Sequence, residues 1–128
     1  AERFRSLAKS YFRGAHGVLF VYDVADRSSF DDMAMWHDLV RLHADENVNK
    51  VLVGNKCDVR EGERFVSPDE GQALATEHGM AFFETSARAN TNVMEPFTAV
   101  VRAVRDRLVA GGATEGVRPR VCIAPEQA

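Results

Sequence analysis

The chain has 128 residues, a formal net charge of -3, 45% hydrophobic and 27% charged residues. Those values fit one globular domain able to bury a core, and the slight negative charge gives no general pull towards nucleic acid or anionic lipid. No apolar run reaches the roughly 18 residues of a membrane helix, Ala1-Glu2-Arg3-Phe4 does not read as a signal peptide, and Cys57 and Cys122 lack metal-ligand spacing, which points to a reducing, cytoplasmic setting.

Phe4, Leu7, Ala8, Tyr11 and Phe12 recur at i, i+3, i+4, i+7 and i+8, which predicts a helix that Gly14 can end. Gly17-Val18-Leu19-Phe20-Val21-Tyr22-Asp23 is nearly all apolar, the pattern of a parallel strand covered on both faces. Ser28 and Ser29 each have an aspartate three positions on, Asp31 and Asp32. They predict the start of a helix carrying Phe30, Met33, Met35, Trp36, Leu39, Val40 and Leu42. Val51-Leu52-Val53-Gly54 predicts a second buried strand. Ser67-Pro68-Asp69-Glu70 is the clearest helix start in the chain: an N-cap serine, proline at the first helical position and a glutamate placed to reach back, with Gly79 closing the helix.

Ala81-Phe82-Phe83-Glu84 predicts a third strand. Val93, Phe97, Val100, Val101, Val104 and Leu108 form the stripe of a last helix, whose start Pro96 delays. Strands alternating with helices specify an α/β domain over residues 1–110, a three-layer, doubly wound open parallel sheet. Residues 111–128, with Pro119 and Pro125, predict a flexible tail. His16, His37, His43 and His78 have no spacing that clusters them for metal and are expected at the surface.

Ligands of open parallel sheets bind beyond the carboxyl ends of the strands. Two polar loops fall there, Asn55-Lys56-Cys57-Asp58 and Thr85-Ser86-Ala87-Arg88. Asp58 can accept from the adjacent ring and exocyclic nitrogens of guanine, a donor pair that adenine lacks. Asn55 can donate and accept, the Lys56 stem can lie over a ring face, and the Ala87 N–H can donate to a base carbonyl. Each loop alone is also explained as an ordinary turn into the next element. Two such loops, in this order and each at a strand end, favour a shared planar base.

Asn55-Lys56-x-Asp58 and Ser86-Ala87 resemble the two guanine-binding motifs of the Ras superfamily of small GTPases. Glu2-Arg3-Phe4-Arg5-Ser6-Leu7 with Ser10-Tyr11-Phe12-Arg13-Gly14-Ala15 is similar to the second switch region of its Rab branch. So are Val21-Tyr22-Asp23-Val24 and the spacing from Phe30 to Trp36. The resemblance implies the P-loop GTPase fold, incomplete at its N-terminal half: the G-x-x-x-x-G-K-[ST] loop, the first switch and the D-x-x-G segment are not in this sequence. It implies that Asn55, Lys56 and Asp58 hold the guanine of GTP or GDP. Ser86, Ala87 and Arg88 would support the base, Arg88 standing where the family usually has lysine.

The same resemblance makes Phe4, Arg5, Leu7, Tyr11 and Phe12 a surface for Rab regulators and effectors. No catalytic residue and no metal ligand is assigned here, and Mg²⁺ is expected only with the intact protein. The implied role is a GTP-hydrolysing switch in vesicle trafficking at the cytosolic face of endomembranes. The alternative is a truncated, catalytically inactive Rab-like interaction module. Cys122 is not part of a C-a-a-X box, so membrane association is implied by the family and not by this tail. With the pairing strand of the missing half absent, the run from Val18 to Tyr22 is expected to be an unprotected sheet edge and the chain poorly soluble.

Overall fold

The computed structural model describes residues 9–56, 59–86, 94–112 and 118–125. Its strands are β1 (Gly17–Asp23), β2 (Asn49–Asn55), β3 (Ala81–Thr85) and β4 (Val121–Ala124), all parallel, in the sheet order β3-β2-β1-β4. The helices are α1 (Arg27–Asp31), α2 (Met33–His43), α3 (Pro68–His78) and α4 (Glu95–Ala110). Residues 9–12 are helical as well, and Gly14, at φ +76, turns the chain towards β1. No helix among the described residues is long and apolar enough to cross a membrane.

Successive side chains of a strand point to opposite faces, so an unbroken apolar run needs two cores. Both are present. Val18, Phe20 and Tyr22 of β1 and Leu52 of β2 pack with Phe12, Met33, Trp36, Val40 and Ala75 on one face. Leu19, Val51 and Val53 pack with Val100 and Val104 of α4 on the other. The expected three-layer parallel α/β architecture is the one observed.

Local signals account for the helix ends. The Ser67 hydroxyl accepts from the Glu70 N–H, and the Glu70 carboxylate accepts from the Ser67 N–H, each at 3.2 Å. Pro68 lies in the first turn, and Gly79 closes α3 in the left-handed region at φ 67. Pro96 likewise sits in the first turn of α4, where its missing N–H costs nothing.

The segment expected to be one helix from Ser28 is two, α1 and α2. Asp26, not a serine, caps the first: its carboxylate accepts from the Ser28 N–H at 3.1 Å and from the Ser28 hydroxyl at 2.6 Å. The Ser29 hydroxyl donates to the Asp26 carbonyl at 2.7 Å. With the first turn satisfied from upstream, Asp31 turns to Arg27, and Asp32 opens α2 without a side-chain cap. Met33, Trp36, Leu39 and Val40 are buried, while Met35 and Leu42 stay exposed.

The tail and the edge both differ from expectation. Residues 121–124 are a strand, and it lies along β1 in parallel, Gly17 opposite Val121 through Phe20 opposite Ala124. The edge of β1 that was expected to be bare is therefore paired. Cys122 and Ala124 face the main core, and the Cys122 thiol is 3% exposed rather than a free tail group. Val121-Cys122-Ile123-Ala124 is a short apolar run bracketed by Pro119 and Pro125, and that bracketing disguises it in the sequence.

On the same face of the sheet, over β2 and β3, α3 approaches closely. A Cβ at Gly71 would stand 2.4 Å from the Tyr22 hydroxyl oxygen, and one at Gly54 would stand 2.8 Å from it. The Tyr22 hydroxyl is buried with no hydrogen-bond partner among the described residues. Burial, followed by the negative charge of Glu84, raises its pKa well above the ordinary phenol value. Glu84 itself pairs with Arg64.

His37 is also not at the surface. It is 7% exposed, packs its ring 4.2 Å from that of His78 and 5.9 Å from that of Phe20, and receives the Lys50 ammonium on Nε2 at 2.9 Å. The same ammonium donates to the His78 carbonyl at 2.9 Å, in the last turn of α3, where a cation suits the helix dipole. Burial, then the positive charges of Lys50 and His78, lowers the His37 pKa from 6.5 to about 4.

A pH dependence of stability follows. Below pH 6.5 the unfolded chain takes up a proton at His37 that the folded chain refuses until about pH 4. This contribution is therefore fully present above 6.5 and is lost as pH falls through that window. Urea unfolding should show a loss of about 2 kcal/mol between about pH 7.5 and pH 5. His37→Gln should flatten that slope, and an equal slope in both proteins would refute the assignment.

Candidate functional site

The β1–β2 and β2–β3 ladders bring three strand ends to one rim, with Asp23 opposite Asn55 and Asn55 opposite Thr85. Asn55 is the joint between the loops. Its side-chain oxygen accepts from the Lys56 N–H at 2.8 Å and from the Thr85 hydroxyl at 3.3 Å. An amide whose oxygen is used in this way presents its NH₂ group, two donors, to whatever lies beyond the rim. Thr85 is buried and Ser86 is completely so, which anchors the second loop at its root.

Lys56 has a positive φ of 66, a left-handed conformation that side-chain-bearing residues seldom adopt outside turns and functional loops. The Asn55 oxygen holding the Lys56 N–H is the local interaction that supports it. The Lys56 ammonium lies 2.8 Å from the Asp23 carboxylate, across from the end of β1. That hydrogen bond, together with the Asp23 charge, raises the lysine pKa, so it is a fixed cation. The second Asp23 oxygen accepts from the Ala25 N–H at 2.8 Å, so the carboxylate is positioned by its own loop. In the sequence Asp23 reads only as the end of the first strand and not as a site residue; the signal for it is a carboxylate at the end of β1 in register with Asn55.

Of the residues proposed to hold a base, Asn55, Lys56 and Ser86 share this rim. Asp58, Ala87 and Arg88 lie outside the described residues. Of the proposed partner surface, Phe4, Arg5 and Leu7 also lie outside them. Phe12 is 0% exposed, edge-on to Trp36 at 6.3 Å, and belongs to the core rather than to a contact surface. Tyr11 is half-buried, and its hydroxyl and carbonyl are both engaged by the chain around β4.

The rim gathers polar groups at the ends of three strands. It combines the Asn55 amide, a Lys56 ammonium paired to Asp23 and a buried hydroxyl beside a strand end, which suits a polar planar ring. A guanine nucleotide fits this donor set. Among the described residues no group of three or more His, Cys, Asp or Glu is placed to hold a metal ion. A groove along α4, lined by Met94, Phe97 and Val101 together with Arg102, Arg105 and Asp106, shares no residue with the rim loops.

Residues 1–106 match the model of the Ras family. The chain is 47% identical over 124 residues to the Ras-related protein RAB1BV of Beta vulgaris, covering 97% of this chain and 58% of that protein. It is 50% identical over 107 residues to the Ras-related protein RABE1d of Arabidopsis thaliana, covering 84% and 50%. It is 48% identical over 108 residues to the GTP-binding protein ypt2 of Schizosaccharomyces pombe, covering 84% and 54%. The chain thus spans little more than half the length of the curated relatives it matches.

The joint at Asn55 can be measured in this chain. Asn55→Ala removes one acceptor shared by two donors and should lower stability by about 1–2 kcal/mol. Thr85→Val should cost about 1 kcal/mol alone and much less in the Asn55→Ala background. Full additivity in urea unfolding would show that the two loops are not joined through this oxygen.

Proposed function

This chain belongs to the Ras family of small GTPases, with relatives of the Rab and Ypt type, and from that premise we propose that its rim is the guanine-recognition side of a GTP-binding switch. Asn55 offers its NH₂ donors to the base, the Lys56 stem covers the ring, and Asp58 accepts from the ring and exocyclic nitrogens. Ser86, Ala87 and Arg88 close the other side of the base, Arg88 replacing the family's usual lysine with a similar apolar stem. Mg²⁺ and phosphate contacts, and hydrolysis itself, are assigned to no residue of this chain.

The observation that carries this reading is the bond from the Thr85 hydroxyl to the Asn55 oxygen. It ties together the two loops that a purine must bridge, at the carboxyl ends of adjacent parallel strands, where ligands of such sheets bind. The intact protein is read as a GTP-hydrolysing switch of vesicle trafficking, working at the cytosolic face of a membrane. The helical segment at Tyr11, with Phe4, Arg5 and Leu7 before it, would meet regulators and effectors.

Base selectivity tests the proposal. In isothermal titration of this chain, GDP should bind in preference to ADP by about 100-fold, the cost of leaving two acceptor contacts unmade. Asp58→Asn, which turns an acceptor pair into a mixed pair, should move preference from guanine to xanthine nucleotides. Equal affinity for GDP and ADP in the parent chain would end the guanine reading.

A further inference from the structure

The lysines of this chain are Lys9, Lys50 and Lys56, and the last two are held in opposite ways. The Lys56 ammonium faces the Asp23 carboxylate, a counter-ion that keeps it charged. The Lys50 ammonium is half-buried at the start of β2. It faces two neutral acceptors, His37 Nε2 and the His78 carbonyl, each at 2.9 Å. Among the described residues no carboxylate lies within ion-pair distance of it. An ammonium can only donate, so His37 Nε2 is the accepting nitrogen and Nδ1 carries the ring hydrogen. Nδ1 is buried with no hydrogen-bond partner among the described residues. His37 is thus held neutral and supplies no charge to offset Lys50.

A half-buried cation without a counter-ion gives up its proton more readily than one in water. Burial lowers the Lys50 pKa accordingly. Its hydrogen bonds do not oppose the loss. An ammonium has three N–H groups and an amine has two, so the neutral amine can keep both contacts and carry its lone pair in the third position. Lys50 also lines a cavity of about 40 Å³, together with His37, Val40, Arg41, Asp45, Glu46 and Val48. That space holds about three waters. It suits a triatomic electrophile and is too small to enclose a larger acyl donor.

We propose that Lys50 is a carbamate-forming site, where the neutral amine adds to carbon dioxide in this cavity. The Nζ lone pair forms a bond to the carbon, one C–O π bond breaks onto its oxygen, and the nitrogen releases a proton to solvent. The product is Nζ–COO⁻, with one N–H left for His37 Nε2 or the His78 carbonyl. Arg41 is the cation on the cavity wall that favours the new carboxylate, while Asp45 and Glu46 on the same wall oppose it. The other titratable groups around the site are His78, its ring 4.2 Å from that of His37, and Asp38, 3.8 Å from Arg41. Modification replaces the cation at the end of α3 with an anion, against the helix dipole, so carbon dioxide would loosen the junction of α2, β2 and α3. Lys50 stands at the opposite end of β2 from Asn55, and the site is independent of the guanine reading.

Trapping tests the site. The full chain is equilibrated with isotope-labelled bicarbonate at mildly alkaline pH, the carbamate is ethylated with triethyloxonium ion, and the label is located by peptide mass spectrometry. Lys50 should carry several-fold more label than Lys9 or Lys56, and Lys50→Arg should carry none at that position. Glu46→Gln should raise the label at Lys50 about two- to fivefold, and Arg41→Gln should lower it by a similar factor. Both are exposed positions, and Trp36 fluorescence during urea unfolding checks that each variant is folded. The ring NMR signals of His37 and His78 should move with carbon dioxide in the parent chain and stay still in Lys50→Arg.

Label at Lys50 no greater than at Lys9 would overturn the site. Label at Lys50 that ignores both charge changes would mark ordinary surface reactivity and overturn the cavity as its setting. None of these readouts uses a nucleotide, so they stand or fall apart from the base-selectivity titration.

Discussion

The parallel ladder of seven pairs between β1 and β2 sets the position of nearly everything else. It runs from Gly17 opposite Asn49 to Asp23 opposite Asn55, and it continues past the strand ends: the Val24 N–H donates to the Asn55 carbonyl, and the Phe65 and Val66 N–H groups donate back to the Val24 carbonyl. A slip by one residue would turn Phe20 and Leu52 out of one core and Leu19 and Val51 out of the other. Two apolar layers therefore enforce the register, and the register places Asp23, Asn55 and Thr85 side by side. The rim is a by-product of core packing.

Much of this was legible in the sequence because the signals were local. Ser67, Pro68, Glu70 and Gly79 make a helix out of short-range hydrogen bonds and backbone preferences, and each does what its type suggests. The β1 and β2 runs were legible because burial on both faces leaves no polar position among their central residues, whereas β3 is mostly half-buried and includes Glu84. The two motif loops were legible as strand-end loops, and their joining through Asn55 needed only the adjacency of β2 and β3.

What stayed hidden depended on distant partners. β4 is four residues long, and it pairs with a strand about a hundred positions earlier in the chain. Its flanking prolines are the usual marks of an irregular tail, yet they lie outside the paired residues, where proline does no harm. The division of α1 from α2 was hidden because Asp26 competes with Ser28 and Ser29 for the same cap and wins through two hydrogen bonds. His37 was assigned to the surface by default. Its burial follows from Phe20, His78 and Lys50, three residues on three different elements, and no spacing within α2 announces it.

The tight seating of α3 has a consequence for how this sequence can drift. Tyr22 fills the gap between strand and helix so completely that neither Gly54 nor Gly71 has room for a methyl group beside it. Positions 22, 54 and 71 are thereby coupled by size across three separate elements. Gaining bulk at Gly54 demands trimming the ring at 22, and gaining it at Gly71 demands that the Phe82 ring give way as well, while trimming the ring at 22 alone opens a void under the helix. Such a trio changes together or is frozen, and correlated variation at these three places is the trace that this steric lock would leave among kindred sequences.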